Sequence, residues 1–324
     1  MLLGTKVKRV FLTGGAGFIG SHVVDTLLAQ GYGVTAYDNL SNGHREFVQQ
    51  HEGNAAFRLV EGDILDEGLL LASMRGHDLV WHLAANTDII GGVEQPRRDL
   101  RDCVTGTFNV LAAMRESGIR DLLFSSTGAV YGDLCREVAT DETGGPLLPV
   151  STYAAGKIGS EAFISAFCSL YGLRAWIFRF GNVIGARMTH GVIFDFIGRL
   201  RRNPGELLIR GDGTQEKNYF LVEECIDGMG YAYRTIPMSS EKPCDIYNLG
   251  TDSVTPVVKI AAMIKEEMDL PDARVLIEGT RQAWPGDQPK VHIRVDRMRR
   301  RGWVATRTSD DAVRQAIRRM LGKA

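Results

Sequence analysis

The 324-residue chain has five cysteines, Cys103, Cys135, Cys168, Cys225 and Cys244, with no Cys-x-x-Cys spacing among them. An odd, scattered set does not suit a disulfide framework, so free thiols in a reducing compartment are expected. Seven histidines include no His-x-x-x-His pair, and no metal site is expected. Net charge of one sign is also missing: 38 basic residues face 39 acidic ones, which gives neither nucleic acid nor an anionic membrane a reason to bind. Arginine does cluster at 297–301 and 314–319, but Asp296, Asp310 and Asp311 are interleaved, as on a solvated helix face. No apolar run reaches the length of a membrane span, and the first ten residues lack the apolar core of a signal peptide. No internal repeat or low-complexity segment is present. The expectation is a cytoplasmic enzyme-sized globular protein, since 44% hydrophobic residues suffice for a large core.

What is present is alternation. Short apolar, β-rich runs at 10–12, 34–37, 57–60, 79–83, 122–124 and 175–178 are separated by helix-period stretches at 19–30, 65–74, 97–117 and 153–171. Continuous apolar strands between helices predict a parallel sheet covered on both faces, an α/β doubly wound (Rossmann) fold, with its ligand beyond the carboxyl ends of the strands. After Gly181 the alternation loosens and Gly, Pro and Asn become frequent. Two domains are therefore expected: 1–180 as the dinucleotide-binding domain, and 181–324 as a smaller α/β substrate lobe. The boundary is soft, because a strand at 246–249 is able to return to the first sheet.

The first strand runs into Thr13-Gly14-Gly15-Ala16-Gly17-Phe18-Ile19-Gly20. Gly14, Gly17 and Gly20 keep a Gly-x-x-Gly-x-x-Gly spacing, which serves a tight turn, close approach of backbone to a pyrophosphate, and close helix–strand packing. Glycines also collect in flexible loops, so context matters. Asp38 ends the second strand about 20 residues on, where an acid binds ribose hydroxyls and repels a 2′-phosphate. NAD is favoured over NADP. Asp63 and Ile64 follow the third strand, where they are placed to hold the adenine edge; Leu83, Ala84 and Ala85 end the fourth with small residues beside the cofactor.

Tyr153 and Lys157 lie four apart at the start of a helix, hence on one face. Nine tyrosines and nine lysines produce one Tyr-x-x-x-Lys by chance in about one of four such chains. Position gives this pair its meaning: it follows the fifth strand, whose end, Phe124-Ser125-Ser126-Thr127, sets a hydroxyl at the carboxyl edge of the sheet. A free phenol, with a pKa of about 10, is a poor base. A nearby ammonium and a positive nicotinamide ring are expected to lower that pKa, while Thr127 hydrogen-bonds the reacting hydroxyl.

With these residues together the chain resembles the extended short-chain dehydrogenase/reductase family, and within it the nucleotide-sugar epimerases and dehydratases. The resemblance runs along essentially the whole chain. It is carried by the glycine turn at 13–20, Asp38-Asn39-Leu40, Gly62-Asp63-Ile64, His82-Leu83-Ala84-Ala85, the Tyr153/Lys157 pair, Arg179-Phe180-Gly181-Asn182-Val183 and Gly211-Asp212-Gly213-Thr214-Gln215. It implies a cofactor site of Gly14, Gly17, Phe18, Ile19, Gly20, Asp38, Asn39, Asp63, Ile64, Leu83, Ala84, Ala85 and Lys157. Thr127, Tyr153 and Lys157 would be the catalytic residues.

Similar dehydratases carry Asp-Glu after the catalytic Thr, and decarboxylating relatives a nearby Glu; here Thr127 is followed by Gly128-Ala129. That looks like the branch of the UDP-glucose 4-epimerases, in which C4 is oxidised, the sugar is turned over, and C4 is reduced from the other face. The alternatives are a nucleotide-sugar dehydratase or keto-reductase, and, in a different class, a non-catalytic NAD-binding regulator. On the substrate side the resemblance implies contacts from Thr87, Thr127, Tyr153, Asn182, Gly191, Val192, Leu208, Arg210, Lys217, Arg281 and Asp287, and a homodimer formed through the helices at 97–117 and 153–171. Departures are visible. Lys217 stands where relatives use an arginine on the diphosphate, losing its bidentate fork, and Asn218 replaces the following Asp. Trp284-Pro285-Gly286-Asp287 replaces Arg-x-Gly-Asp, with Arg281 nearby to restore the charge; Cys103 replaces Asn; and the loop at 86–92 matches neither a dehydratase nor a galactose-epimerase pattern.

Overall fold

The computed structural model describes residues 1–136, 138–280 and 282–323. The chain opens with β1 (Arg9–Thr13), α1 (Phe18–Ala29), β2 (Gly33–Asp38), β3 (Phe57–Glu61), α2 (Glu67–Met74) and β4 (Leu79–His82). Short helices α3 (Gly91–Glu94) and α4 (Pro96–Asp99) lead through a π-helical turn, Leu100–Thr105, into α5 (Gly106–Ser117). β5 (Asp121–Thr127), α6 (Thr152–Tyr171) and β6 (Arg174–Phe180) follow. The later elements are β7 (Asn182–Ile184), α7 (Val192–Arg202), β8 (Glu206–Arg210), β9 (Glu216–Lys217), β10 (Tyr219–Leu221), α8 (Val222–Thr235) and β11 (Cys244–Leu249). The chain ends with β12 (Thr255–Pro256), α9 (Val257–Glu267), β13 (Arg274–Glu278), β14 (Lys290–Val291), α10 (Asp296–Arg300) and α11 (Ser309–Met320).

Seven strands form a parallel sheet in the order β11-β6-β5-β4-β1-β2-β3. The expected doubly wound fold is present, and the order reverses between β1 and β4, the switch point where such sheets leave a crevice for a ligand. Register sets Thr13 beside both Tyr37 and His82 at that point. One core lies under the sheet, with Phe11, Val80, Leu122 and Phe124 packed against Val110 and Met114 of α5 and Ile164 and Phe167 of α6.

The chain divides into two compact units whose segments interleave. One comprises Met1–Val130, Ser151–Arg179 and Ile226–Tyr247; the other comprises Tyr131–Val150, Phe180–Cys225 and Asn248 onward. Relative to a single division after residue 180, the stretch 131–150 joins the second unit and 226–247 returns to the first. In the second unit α7 buries Ile193, Phe196, Ile197 and Leu200, one helical face, against Ile260 and Ile264 of α9 and Val313 and Ile317 of α11.

The stretch 97–117, periodic enough to read as one helix, is not one: it widens into the π turn before α5. Such bulges insert a residue and re-aim side chains, often beside functional sites. Gly156 on α6 lets the bulge approach, since a Cβ there would lie 3.0 Å from the Cβ of Cys103. All five cysteines are free thiols. Among the described residues there is no metal-like cluster of His, Cys, Asp and Glu, and no helix long and apolar enough to cross a membrane.

Candidate active site

β1 delivers the chain into a turn that only glycine permits. Gly14 has φ +71°, and a Cβ on it would lie 2.8 Å from the backbone nitrogen of Ala84. A Cβ on Gly20 would lie 2.0 Å from the Gly14 carbonyl oxygen, so α1 rests directly on the turn. Gly17 is the N-cap of α1; among the described residues no side chain caps it, and the first turn carries no acid. The orphan N–H groups and the positive end of the helix dipole are left available to an anion.

Asp38 ends β2 with 7% of its surface exposed. Its Oδ2 accepts from the Ala16 N–H and its Oδ1 from the Leu40 N–H, both at 2.9 Å. Burial pushes the carboxyl above its ordinary value, and these two donors pull it back only in part. Nearby, Asn39 Nδ2 donates to Asp63 Oδ2 at 3.0 Å, and Leu65 N donates to Asp63 Oδ1 at 2.9 Å. The Tyr37 hydroxyl donates to the Asp63 carbonyl at 2.9 Å, and Asn109 Nδ2 to the Ile64 carbonyl at 3.1 Å. Asn39, Asp63 and Ile64 are thus one constructed corner. Tyr37 and Asn109 were invisible as contributors, although a polar Asn109 on the buried face of α5 was the available signal.

At the other end of the crevice, Ser151 caps α6 by accepting from the Ala154 N–H at 3.2 Å, which sets Tyr153 and Lys157 on its first turns. Thr127 Oγ1 accepts from the Ala129 N–H at 3.1 Å, and the Thr127 side chain lies close enough to the Tyr153 phenol to favour its ionised form. Lys157, 3% exposed, donates to the Ser125 carbonyl at 2.7 Å, with its Nζ 4.9 Å from the Phe124 ring centroid and 6.0 Å from that of Tyr153. The expected depression of the Tyr153 pKa is not found in the free chain. Burial raises the phenol well above its ordinary value, Cys103 and Asp99 add to the rise, and the Thr127 side chain opposes it. The Lys157 ammonium is itself pulled down by burial. The positive ring counted on to lower the phenol belongs to the cofactor, so protein groups alone leave desolvation dominant.

Buried polar pairs hold these elements. Arg179 Nη2 and Nε meet Glu161 Oε2 and Oε1 at 2.6 and 3.0 Å, and Ser126 Oγ donates to Glu161 Oε1 at 2.5 Å, joining β5, α6 and β6. Asp99, 1% exposed, accepts from Asn86 Nδ2 at 2.8 Å and from Thr152 Oγ1 at 2.6 Å. The loop that carries exposed Thr87 is thereby tied to the residue preceding Tyr153.

The second unit holds the other expected residues. Asn182 is on β7, paired with Tyr219. Gly191, at φ +101°, is the N-cap of α7, and Val192 is its first residue. Leu208 and Arg210 are on β8, where Arg199 donates to the Leu208 carbonyl. Lys217 Nζ lies 3.4 Å from Asp287 Oδ1 and 5.9 Å from the Trp284 ring centroid, and Asp287 Oδ2 accepts from the Ala283 N–H at 3.1 Å. Asn218, buried, spends its amide on the Thr251 and Ser253 carbonyls at 2.7 and 3.0 Å, a structural post. Arg281 lies outside the described residues.

A sequence profile of the NAD dependent epimerase/dehydratase family matches residues 10–250. A putative UDP-glucose 4-epimerase of Methanocaldococcus jannaschii is 31% identical over 300 residues, covering 91% of this chain and 92% of that protein. UDP-glucuronic acid decarboxylase 4 of Arabidopsis thaliana is 30% identical over 280 residues, 84% of this chain and 60% of that protein. Among solved structures, a Thermus thermophilus UDP-glucose 4-epimerase in complex with NAD superposes with a TM-score of 0.85 at 29% identity, over 98% of this chain and all of that one.

Proposed function

Because the chain belongs to the NAD-dependent epimerase/dehydratase family, we propose that it inverts C4 of a nucleotide-diphosphate sugar, a UDP-hexose, through a transient 4-keto sugar. NAD is the cofactor. The residues present fit it: the glycine cradle has no Cβ to obstruct a pyrophosphate, the N-terminus of α1 is open to an anion, and Asp38 is poised for a ribose and hostile to a 2′-phosphate.

The observation that carries the choice of reaction is the pair after Thr127. Gly128-Ala129 supply no side-chain acid or base, and the Ala129 backbone is committed to Thr127 Oγ1. Elimination of water across C5 and C6 needs such groups; oxidation and re-reduction at C4 do not. Bound NAD supplies a hydride acceptor and donor for C4 and a positive charge that favours the Tyr153 phenolate. Tyr153 takes the O4 proton and later returns it, with Thr127 orienting the same oxygen. Lys157 spends one of its three N–H donors on Ser125, leaving two for the nicotinamide ribose. Asn182 and Lys217 hold the diphosphate, and Gly191, Val192, Leu208 and Arg210 surround the base. The homodimer that the resemblance implies would use the exposed rings of Phe108 and Phe163, 5.6 Å apart across α5 and α6.

Substrate labelled with deuterium at C4 tests the reaction. Epimerisation gives product of unchanged mass with the label retained at C4. A product lighter by one water, with the label at C6, or loss of carbon dioxide from a glucuronic acid, would refute it.

A further inference from the structure

His82 ends β4 with none of its surface exposed, and both ring nitrogens are engaged: Nδ1 lies 2.6 Å from Thr13 Oγ1 and Nε2 lies 3.0 Å from Thr107 Oγ1. The contacts extend further. The Ala84 N–H donates to Thr13 Oγ1 at 3.2 Å, Thr107 Oγ1 lies 3.2 Å from Ser160 Oγ, and Ser160 Oγ lies 3.0 Å from both the Cys103 and Gly156 carbonyls.

Proton counting fixes every direction. The two carbonyls only accept, so the single Ser160 proton points at them. Ser160 therefore accepts from Thr107. Thr107, its own proton spent, accepts from His82 Nε2, which must carry hydrogen. The Nδ1 of a neutral ring is then bare and accepts from Thr13, which in turn accepts from Ala84. All hydroxyls are satisfied by one polarity. A protonated ring would set two N–H groups against two threonines and leave the Thr13 proton with no acceptor in this run. Burial, with Lys157 close by, also pulls the His82 pKa down to about 3, in keeping with a neutral ring.

The ends of this run are the two halves of the active site. Ala84 forms the wall against which Gly14 is pressed, its nitrogen 2.8 Å from where a Gly14 Cβ would stand. Gly156 and Ser160 bracket Lys157 on α6. We propose that His82, locked as the neutral Nε2–H tautomer, is a positioning residue that holds the cofactor wall at Ala84 and the Lys157 turn of α6 at a fixed separation through Thr13, Thr107 and Ser160. The inference rests on NAD lying in the 14–20 turn and on Tyr153 and Lys157 being the reacting pair. It adds that a residue touching neither substrate nor cofactor sets their alignment. A reacting group displaced by about 1 Å loses roughly 10²-fold in rate.

Two measurements test it. The first uses the whole protein labelled with ¹⁵N-histidine, the His82 resonances being assigned by their loss in His82→Gln. An Nε2–H ring with a bare Nδ1 is expected, whatever the reaction catalysed; an Nδ1–H ring or an imidazolium overturns the proposal. The second uses Thr107→Val, which preserves shape while cutting the run, so folding is less at stake than at His82, where the whole ring is lost. Hydride transfer to bound NAD is expected to slow about 10-fold or more with substrate KM little changed, and Thr13→Val combined with Thr107→Val is expected to cost no more than the worse single change. Unchanged hydride transfer with only a lowered Tm, or losses that simply multiply, overturns the positioning role. If no nucleotide sugar reduces the bound NAD, the reaction assignment fails instead, and NAD affinity in the same variants still reads the alignment: a several-fold weakening supports the run, and no change overturns it.

Discussion

Gly20→Ala is the sharpest probe of the cofactor cradle, because its consequence follows from backbone geometry alone. The new Cβ would stand 2.0 Å from the Gly14 oxygen and 2.8 Å from the Gly15 Cα. Ordinary contact needs about 3.5 Å, so something must give by roughly 1.5 Å. The turn is pinned: the Gly14 N–H donates to the Tyr37 carbonyl at 2.8 Å, and Gly14 backs onto Ala84. The helix must therefore retreat, carrying Val23, Val24 and Leu27, all fully buried. Overpacking of this kind costs about 1–3 kcal/mol. It also moves the α1 N–H groups away from the pyrophosphate, and losing one hydrogen bond to that charged group, about 1.5–3 kcal/mol, costs up to roughly 10²-fold in affinity. At NAD equal to 100 times the wild-type Kd, the cofactor stabilises the fold by about 2.7 kcal/mol; a hundredfold weaker variant keeps about 0.4 kcal/mol under the same conditions. Thermal melts with and without NAD, beside a fluorescence titration, read both effects. Gly68→Ala is the control: it lies exposed in α2, where the nearest atom to a new Cβ is 3.6 Å away, and should leave Tm level or slightly raised. If Gly20→Ala keeps the full NAD-dependent rise in Tm, the cradle argument is wrong.

Three further outcomes follow from the same site. Asp38→Ser should weaken NAD by about 10-fold or more and narrow the preference over NADP, since charge-assisted hydrogen bonds to ribose and repulsion of a 2′-phosphate vanish together; parallel titrations with both cofactors check it, and an unchanged ratio refutes it. The raised carboxyl pKa implies that wild-type NAD affinity falls, as pH drops, from a higher pH than an ordinary aspartate would give, a limb that Asp38→Ser should lack. Tyr153→Phe removes the phenol but leaves the Lys157–Ser125 contact, so bound NAD should be retained while turnover falls about 10²- to 10⁴-fold. Near-normal turnover in that variant removes Tyr153 from the chemistry.

Local features were legible in the sequence because each has a fixed period or spacing. The strands around 10–12 and 122–124 read as apolar runs, the helix at 153–171 as one amphipathic stretch, and the turn at 14–20 as glycines where backbone must pass backbone. Tyr153 and Lys157 share a face because four residues make about one helical turn. What the chain could not reveal linearly is what depends on partners far apart along it. The π turn at Leu100–Thr105 exists where Gly156, some fifty positions later, makes room for it. Asn109 reads as a fault in an apolar helix face until the Ile64 carbonyl is set beside it. Glu161 and Arg179 are ordinary surface residue types that become a buried pair between α6 and β6. The strand read at 246–249 does return to the first sheet, as β11 at its edge, but which strand it pairs with, and that 226–247 joins the first unit with it, depends on partners no local pattern encodes. The balance at Tyr153 is of the same kind. Its neighbours in space, Cys103, Asp99 and Thr127, lie well upstream in the chain, and desolvation, which grows with everything packed around the ring, outweighs the lowering contribution of Thr127.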